Sequence, residues 1–419
     1  MDRNFPSPRK DLEFMPIQDR GQQMILVRDQ LGLVREGTVI APGLYRFLYL
    51  LDTLKEYSEL QLHLSRQAGG IFISVQEIRK MLDNLDKAFL LDSETYRIEK
   101  SRLKTAFAAL QTRPPGHAGR SYPAGAEELG RTLDDILAAK KVPPPRGRIK
   151  GLVAPHIDLT VGARGYGAAY GSLKGSFYQR LVVLGVGHHM DQGLFSLTGK
   201  NFETVFGLLQ NDASGVSELR ENAGNILTDS DYDHRLEHSI EFQTLFLKHL
   251  FGGQNCLLIP ILCGSMKHFL PEYSRQAFLD AAGPFLESLQ RIAARDGTLI
   301  VAGVDFSHIG PKFGHEHPAK QMQSRAEDHD SALLDALCQQ DPDRFWKVSR
   351  EIDDFFHVCG FSALACLLEV LPDCRSEMLH YEMWHEEPTR SAVSFAALNF
   401  QDNCPGDLKE TRDNVTIQV

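Results

Sequence analysis

Past residue 148, short wholly apolar runs alternate with longer stretches whose apolar positions recur at helical spacing. The runs "GLVAPHID" (151–158), "LVVLGVGHH" (181–189), "NCLLIPILCG" (255–264), "TLIVAGVDFSH" (298–308) and "SAVSFAALNF" (391–400) are too short for core helices. Their length and apolar continuity predict strands buried on both faces. Helix-compatible segments between several of them predict crossover connections. The expected fold is therefore α/β: a three-layer α/β/α domain with a central sheet, spanning 113–402. The Pro- and Gly-rich "QTRPPGHAGRSYPAG" opens this domain, and a polar tail, 403–419, closes the chain.

Residues 1–112 follow a different pattern. "QQMILVRDQLGLVREGTVIAP" predicts a β-hairpin or two short strands, followed by a helix from Gly43 to about Gln67. "SVQEIRKMLDNLDKAF" predicts another helix, and "LLDSETYRIEK" a small wing. Together they predict a small α+β, winged-helix-like domain whose element order resembles the PqqD-type peptide-binding domains. This part carries 16 Lys+Arg against 15 Asp+Glu, so it lacks the basic footprint of a DNA reader. Peptide binding and an oligomerisation or docking role both remain open.

Charge and composition narrow the class. A formal net charge of −10 argues against a broad grip on nucleic acid. "GLYRFLYLL" is short and interrupted by Arg46, so no membrane span is expected, and the first residues lack the apolar core of a secretory signal. The expected location is the cytoplasm. Seven cysteines, at 256, 263, 338, 359, 366, 374 and 404, are odd in number and form no C-x-x-C pair. Neither a disulfide framework nor a zinc knuckle is expected.

Polar residues gather where the apolar runs stop. His156 and Asp158 follow the first, His188 and His189 the second, and Asp305 and His308 the fourth. Ligands of open α/β sheets bind at the carboxyl ends of strands, so three such ends suggest one site on one rim. Two further segments are candidates. "LEHSIEF" places Glu237, His238 and Glu241 in the first turn of a helix, either as site residues or as a solvated acidic turn matched to the helix dipole. "HVCGFSALACLL" places Cys359 near a helix N-terminus, where a thiol pKa is expected to fall. Asp158 either adds a carboxylate to the site or caps a helix. No dinucleotide fingerprint, P-loop, H-E-x-x-H or G-x-S-x-G motif is found.

Eight pieces in this order, "HAGRSYPA", "APHID", "LGVGHH", "EHSIE", "LIPILCG", "DFSH", "CG" at 359 and "SAVSFAAL", resemble the Memo-like protein family. The likeness covers about 113–402. The family is similar in fold to the LigB-type class III extradiol dioxygenases, which hold non-haem Fe(II) through two histidines and a glutamate. The resemblance implies His156, His188 and Cys359 as metal ligands. It also implies His308 as the acid/base histidine, with Asp305 beside it, and His189 behind a ligand or on the rim of the site. Fe(II) is the implied metal, with Cu or Zn as alternatives. Bacterial members are named for association with a radical SAM protein and an Ammecr-type protein, which implies such partners. "APHIDL" stands where "APHAGY" is common, and "DFSHIG" where "DFCHWG" is.

Two imidazoles and one anion leave positions open on a metal, as in non-haem iron oxygenases. A thiolate in place of a carboxylate keeps the charge but favours softer ions and is itself oxidisable. Three functions follow: an oxygenase-like enzyme for a small phenolic or hydroxylated compound or a peptide-borne group; a zinc-type hydrolase with the Glu237/Glu241 pair as base; and a metal- or phosphopeptide-binding scaffold.

Overall fold

A computed structural model describes residues 5–402 except 20 and 30, so the 403–419 tail lies outside the described residues. The chain divides into two compact units, Met1–Ala109 and Leu110–Val419.

In the first unit, strands Leu12–Asp19, Gln22–Asp29 and Val39–Ile40 form an antiparallel sheet in that order. The two strands expected between 22 and 42 form and pair antiparallel, and a further strand, Leu12–Asp19, adds to the outer side of the first. The predicted helix from Gly43 to Gln67 is two helices, Pro42–Thr53 and Tyr57–Gln67. The backbone extends at Leu54, and Glu59 accepts from the Glu56 N–H (3.3 Å) to start the second helix. The segment predicted as a wing is the start of the helix Glu94–Ala108. Ser93 caps it by accepting from the Tyr96 N–H, a signal that outweighs the β-branched and aromatic content of "TYRI". Arg9, wholly buried, binds Asp29 (2.7 Å) and Asp11 (3.0 Å) and ties the hairpin to the Phe89 carbonyl.

The second unit is built on seven principal strands: β1 (Ile149–Ala154), β2 (Arg180–Val186), β3 (Gly207–Asn211), β4 (Leu257–Cys263), β5 (Thr298–Gly303), β6 (Cys374–Glu386) and β7 (Ser391–Asp402). Their order is β6-β7-β1-β5-β2-β4-β3. Strands β1, β5, β2 and β4 run parallel side by side, with β3 parallel to β4, while β7 lies antiparallel to β1 and β6 to β7. This is the expected central sheet flanked by helices. Its alternate residues feed two cores: Val182, Leu184, Ile259, Ile261 and Ile300 face one side, and Leu181, Val183, Leu258, Leu299 and Val301 the other. Every residue of β5 is buried, as a strand covered on both faces requires.

Register decides where the chemistry falls. Ala154 of β1 pairs with Gly303 of β5, which pairs with Gly185 of β2, and the neighbouring Val186 pairs with Cys263 of β4. Four parallel strands thus stop at one level, and the residues after each stop share one rim. Helix α1 (Ala126–Ala139), α2 (Ala163–Gly171), α3 (His238–Phe251), α4 (Arg275–Ala293) and α5 (Phe361–Val370) pack against the sheet or one another. The first turn of α3 approaches β2 and β5 so closely that a Cβ at Gly303 would sit 2.5 Å from the Ser239 carbonyl oxygen.

Candidate metal centre

His156 stands two residues beyond β1 and is 2% exposed. Its Nδ1 donates to the Gly303 carbonyl (2.9 Å), and a carbonyl can only accept, so Nε2 carries the free lone pair. His188 stands two residues beyond β2, and its Nδ1 donates to Glu237 Oε1 (3.0 Å), which places the ring's lone pair on Nε2. Cys359 arrives from elsewhere in the chain, on the segment before α5, and its Sγ lies 3.5 Å from His156 Nε2. One ligand atom from each of His156, His188 and Cys359 falls within 4.8 Å of the others. Bonds of about 2.0–2.3 Å hold donors roughly 3–4 Å apart, so this donor set fits an ion with little adjustment.

Glu237 organises the cluster. As N-cap of α3 it accepts from the Ser239 N–H, and it also accepts from the backbone N–H and Nδ1 of His188. His238 Nδ1 lies 3.3 Å from the same Oε1. Burial opposes the Glu237 charge, but His188 and His238 hold its pKa well below the carboxylate range. The ring centroids of His156, His188 and His238 are mutually about 5 Å apart. Burial, together with the neighbouring imidazoles, pushes the His156 pKa well down, and burial does the same to His238. Histidines with depressed pKa values are in the neutral state that ligation requires.

Asp305 lies against His156 rather than against His308. Its Oδ1 accepts from the His156 N–H (3.1 Å), and its carbonyl accepts from the Gly360 N–H (3.1 Å). Its Oδ2 is 3.6 Å from His156 Nε2, but burial raises the acid to about 7 while the histidine is depressed, so the two are not a fixed ion pair. Asp305 thus braces the His156 and Cys359 backbones. His308 donates from Nδ1 to the Phe306 carbonyl (2.9 Å), and burial lowers its pKa to about 4.

Other expectations are corrected. The Cys359 thiol is pushed well up by burial, which outweighs the adjoining helix N-terminus; a cation is needed to make it a thiolate. Of the two roles expected for Asp158 the capping one holds: it is exposed and accepts from the Thr160 and Val161 N–H groups in the turn before α2. Glu241 points away: it meets Arg113 (2.5 Å), the Gly116 and His117 N–H groups and the Tyr122 hydroxyl (2.5 Å). With four donors around it and 1% exposure, it is unavailable as a base. His189 is exposed and does not line the cavity beside the cluster.

That cavity, about 820 Å³, opens onto His188, His308 and Cys359. Met190, Met266, Phe269, Tyr273, Phe313 and Phe361 form its apolar walls. Those on "CGSMKHF" follow the end of β4, so the strand-end argument, applied to a fourth strand, would have found them. Asp353, Asp354 and His357 hold left-handed backbone (φ 51°, 53° and 50°) in the segment that delivers Cys359. Asp354 Oδ1, accepting from the Val358 N–H, and Lys267, donating to the Asp353 carbonyl, keep that segment in place.

The sequence model of the Memo-like protein family matches residues 113–399. The chain belongs to the Memo-like family. Curated Memo-family relatives span most of its length. A MEMO1 family protein of Aquifex aeolicus is 27% identical over 93% of this chain and 99% of its own. Its 392 aligned residues exceed the second unit, so the likeness extends into the first. A MEMO1 family protein of Thermus thermophilus is 27% identical over 78% of this chain and 94% of its own. The protein memo-1 homolog of Caenorhabditis elegans is 24% identical over 68% and 81%. An uncharacterized Escherichia coli K12 protein of known structure gives a TM-score of 0.37 at 13% identity, over 60% of this chain and 99% of its own, and carries no argument. No described helix is long and apolar enough to cross a membrane.

Proposed function

We propose that this Memo-family protein is a metal-dependent, oxygenase-like enzyme that holds Fe(II), with Cu or Zn as alternatives, through His156, His188 and Cys359. Its substrate is a small phenolic or otherwise hydroxylated compound, or such a group on a peptide. The observation that carries the reading is the convergence of the His156 and His188 imidazoles and one thiol beside an apolar, aromatic-walled cavity. A bound ion would supply Lewis acidity toward a substrate hydroxyl and, if redox-active, electron exchange with oxygen. His308, its Nδ1 proton committed to Phe306, offers Nε2 to accept the hydroxyl proton. Phe313, edge-on to His308 (centroids 4.9 Å), and Met190 confine a ring and exclude water. Glu237 fixes the plane of the His188 ring.

A second reading, a non-catalytic scaffold for a reduced soft metal, is favoured by sulfur: Cys263, Met190 and Met266 line the cavity with Cys359. Zinc-type hydrolysis loses one of its two candidate bases with Glu241. A cytoplasmic setting rests on the sequence pattern and is tested by cell fractionation; association with a radical SAM protein and an Ammecr-type protein rests on the family resemblance and is tested by affinity purification from cells.

The deciding experiment loads the protein anaerobically with Fe(II), verifies stoichiometry by elemental analysis, and follows oxygen consumption with a panel of catechols. Uptake that needs both iron and a catechol, and is lost in His308→Ala, is expected. A filled site with no uptake from any catechol would leave the scaffold reading.

A further inference from the structure

Outside the cavity, α1, α2 and β6 assemble a second cluster. Lys140, the residue after α1, donates from Nζ to His380 Nδ1 (3.1 Å). His380 Nε2 donates to Glu382 Oε2 (2.9 Å). A carboxylate only accepts, so the His380 proton sits on Nε2 and the Nδ1 lone pair faces the lysine amine. The order is nucleophile, base and orienting acid, each within hydrogen-bond reach of the next. His380 has a 5% exposed side chain and is set by a bulge in β6, where the register against β7 shifts between Met378 and His380. Bulges re-aim side chains, and this one turns the imidazole toward the end of α1. Arg164, in the first turn of α2, stands 4.0 Å from the same Glu382 oxygen and is 63% exposed.

We propose that Lys140 is a nucleophilic lysine, activated by His380 and Glu382, and that with Arg164 it forms a covalent acylation site for small acyl phosphates. The amine attacks the acyl carbon and a C–N bond forms. The bond from acyl carbon to phosphate oxygen breaks, and phosphate leaves with the electron pair. The proton shed by the nitrogen is taken at His380 Nδ1, where the resulting imidazolium faces Glu382, and ends on the departing phosphate. The products are an amide and inorganic phosphate, and no oxidant or reductant is consumed. Arg164 supplies a cation for the phosphate. Burial, with the Arg164 charge, also lowers the Lys140 pKa, the direction that favours free amine. None of these residues lines the metal-side cavity, so the proposal is independent of the oxygenase reading.

The test treats the full chain briefly with acetyl phosphate and reads acetylation site by site by tandem mass spectrometry. Lys140 should acetylate at least about tenfold faster than its neighbour Lys141 and than Lys174, since a positioned general base contributes about a hundredfold or more. His380→Gln should bring Lys140 down to the rate of Lys141. Arg164→Gln should slow acetyl phosphate more than the neutral reagent p-nitrophenyl acetate, because both lose the effect of the Arg164 charge on the amine but only acetyl phosphate loses a partner for its phosphate. Equal rates at Lys140 and Lys141 in the unaltered protein overturn the proposal without any variant. An unchanged rate in His380→Gln overturns the role of the base, and equal slowing of both reagents in Arg164→Gln overturns the phosphate site.

Discussion

Removing the Arg113 charge should cost more stability than any other single surface-to-core polar change near α3. The guanidinium and the Glu241 carboxylate are both within 2% of complete burial and 2.5 Å apart. Arg113 also donates to the carbonyls of His234 (2.8 Å) and Glu237 (3.1 Å), the residues that lead into α3. Arg113→Met keeps the volume but strands a buried carboxylate whose remaining donors are two backbone N–H groups and Tyr122. Orphaning one member of a buried pair costs about 3–5 kcal/mol, a large part of a typical domain stability of about 5–15 kcal/mol. Urea unfolding followed by tryptophan fluorescence measures it cleanly, because Trp346 and Trp384 both lie in the second unit. The double variant Arg113→Met/Glu241→Gln should recover part of the loss, since neither charge is then left alone. A single variant within about 1 kcal/mol of the parent would show that this pair does not anchor the 113–122 segment.

Three further outcomes follow from the geometry. His188→Ala should abolish stoichiometric metal binding, measured by elemental analysis after anaerobic loading, whereas His189→Ala, at an exposed residue off the cavity, should retain it; equal retention in both would remove His188 from the ligand set. Gly303→Ala drives a methyl to 2.5 Å from the Ser239 carbonyl oxygen and 2.6 Å from Gln243 Nε2, so a loss of about 1–3 kcal/mol in urea unfolding is expected. His234 is buried with Nε2 on the Ser196 carbonyl, and burial holds its pKa near 4 against an ordinary 6.5. The unfolded chain takes up a proton that the fold refuses, so this contribution is complete above pH 6.5 and is lost as pH falls toward 4. It amounts to about 3 kcal/mol. In His234→Gln the fall of stability between pH 6.5 and 4 should be shallower by about 1.4 kcal/mol per pH unit, and an unchanged slope would assign the acid sensitivity elsewhere.

Much of this was legible because buried parallel strands announce themselves as unbroken apolar runs and their ends mark a rim. His156, His188, Asp305 and His308 were each found that way. Cys359 was not reachable by that rule, since it follows a helix and an irregular loop; only the family resemblance joined it to the histidines. Strand β6 went unseen because it covers one face and carries charged residues along its length. The Glu94–Ala108 helix was hidden by a sequence that alternates like a strand until its Ser93 cap is recognised. Which way Glu241 and Asp158 point, and whether burial or a helix dipole governs Cys359, depend on packing that no spacing encodes.

The way the proposed third ligand is delivered carries a consequence for how such a centre changes over time. Two histidines sit at the rigid ends of neighbouring strands, where any shift would disturb the whole sheet. Cys359 hangs from three left-handed residues outside the regular scaffold. The donor that sets hardness and redox character is therefore an interchangeable part: one codon at 359 exchanges thiolate for carboxylate while the imidazole pair and its sheet stay as they are. Under the proposed ligand set, the hardness of the centre is retuned at this one position while the core keeps its fold.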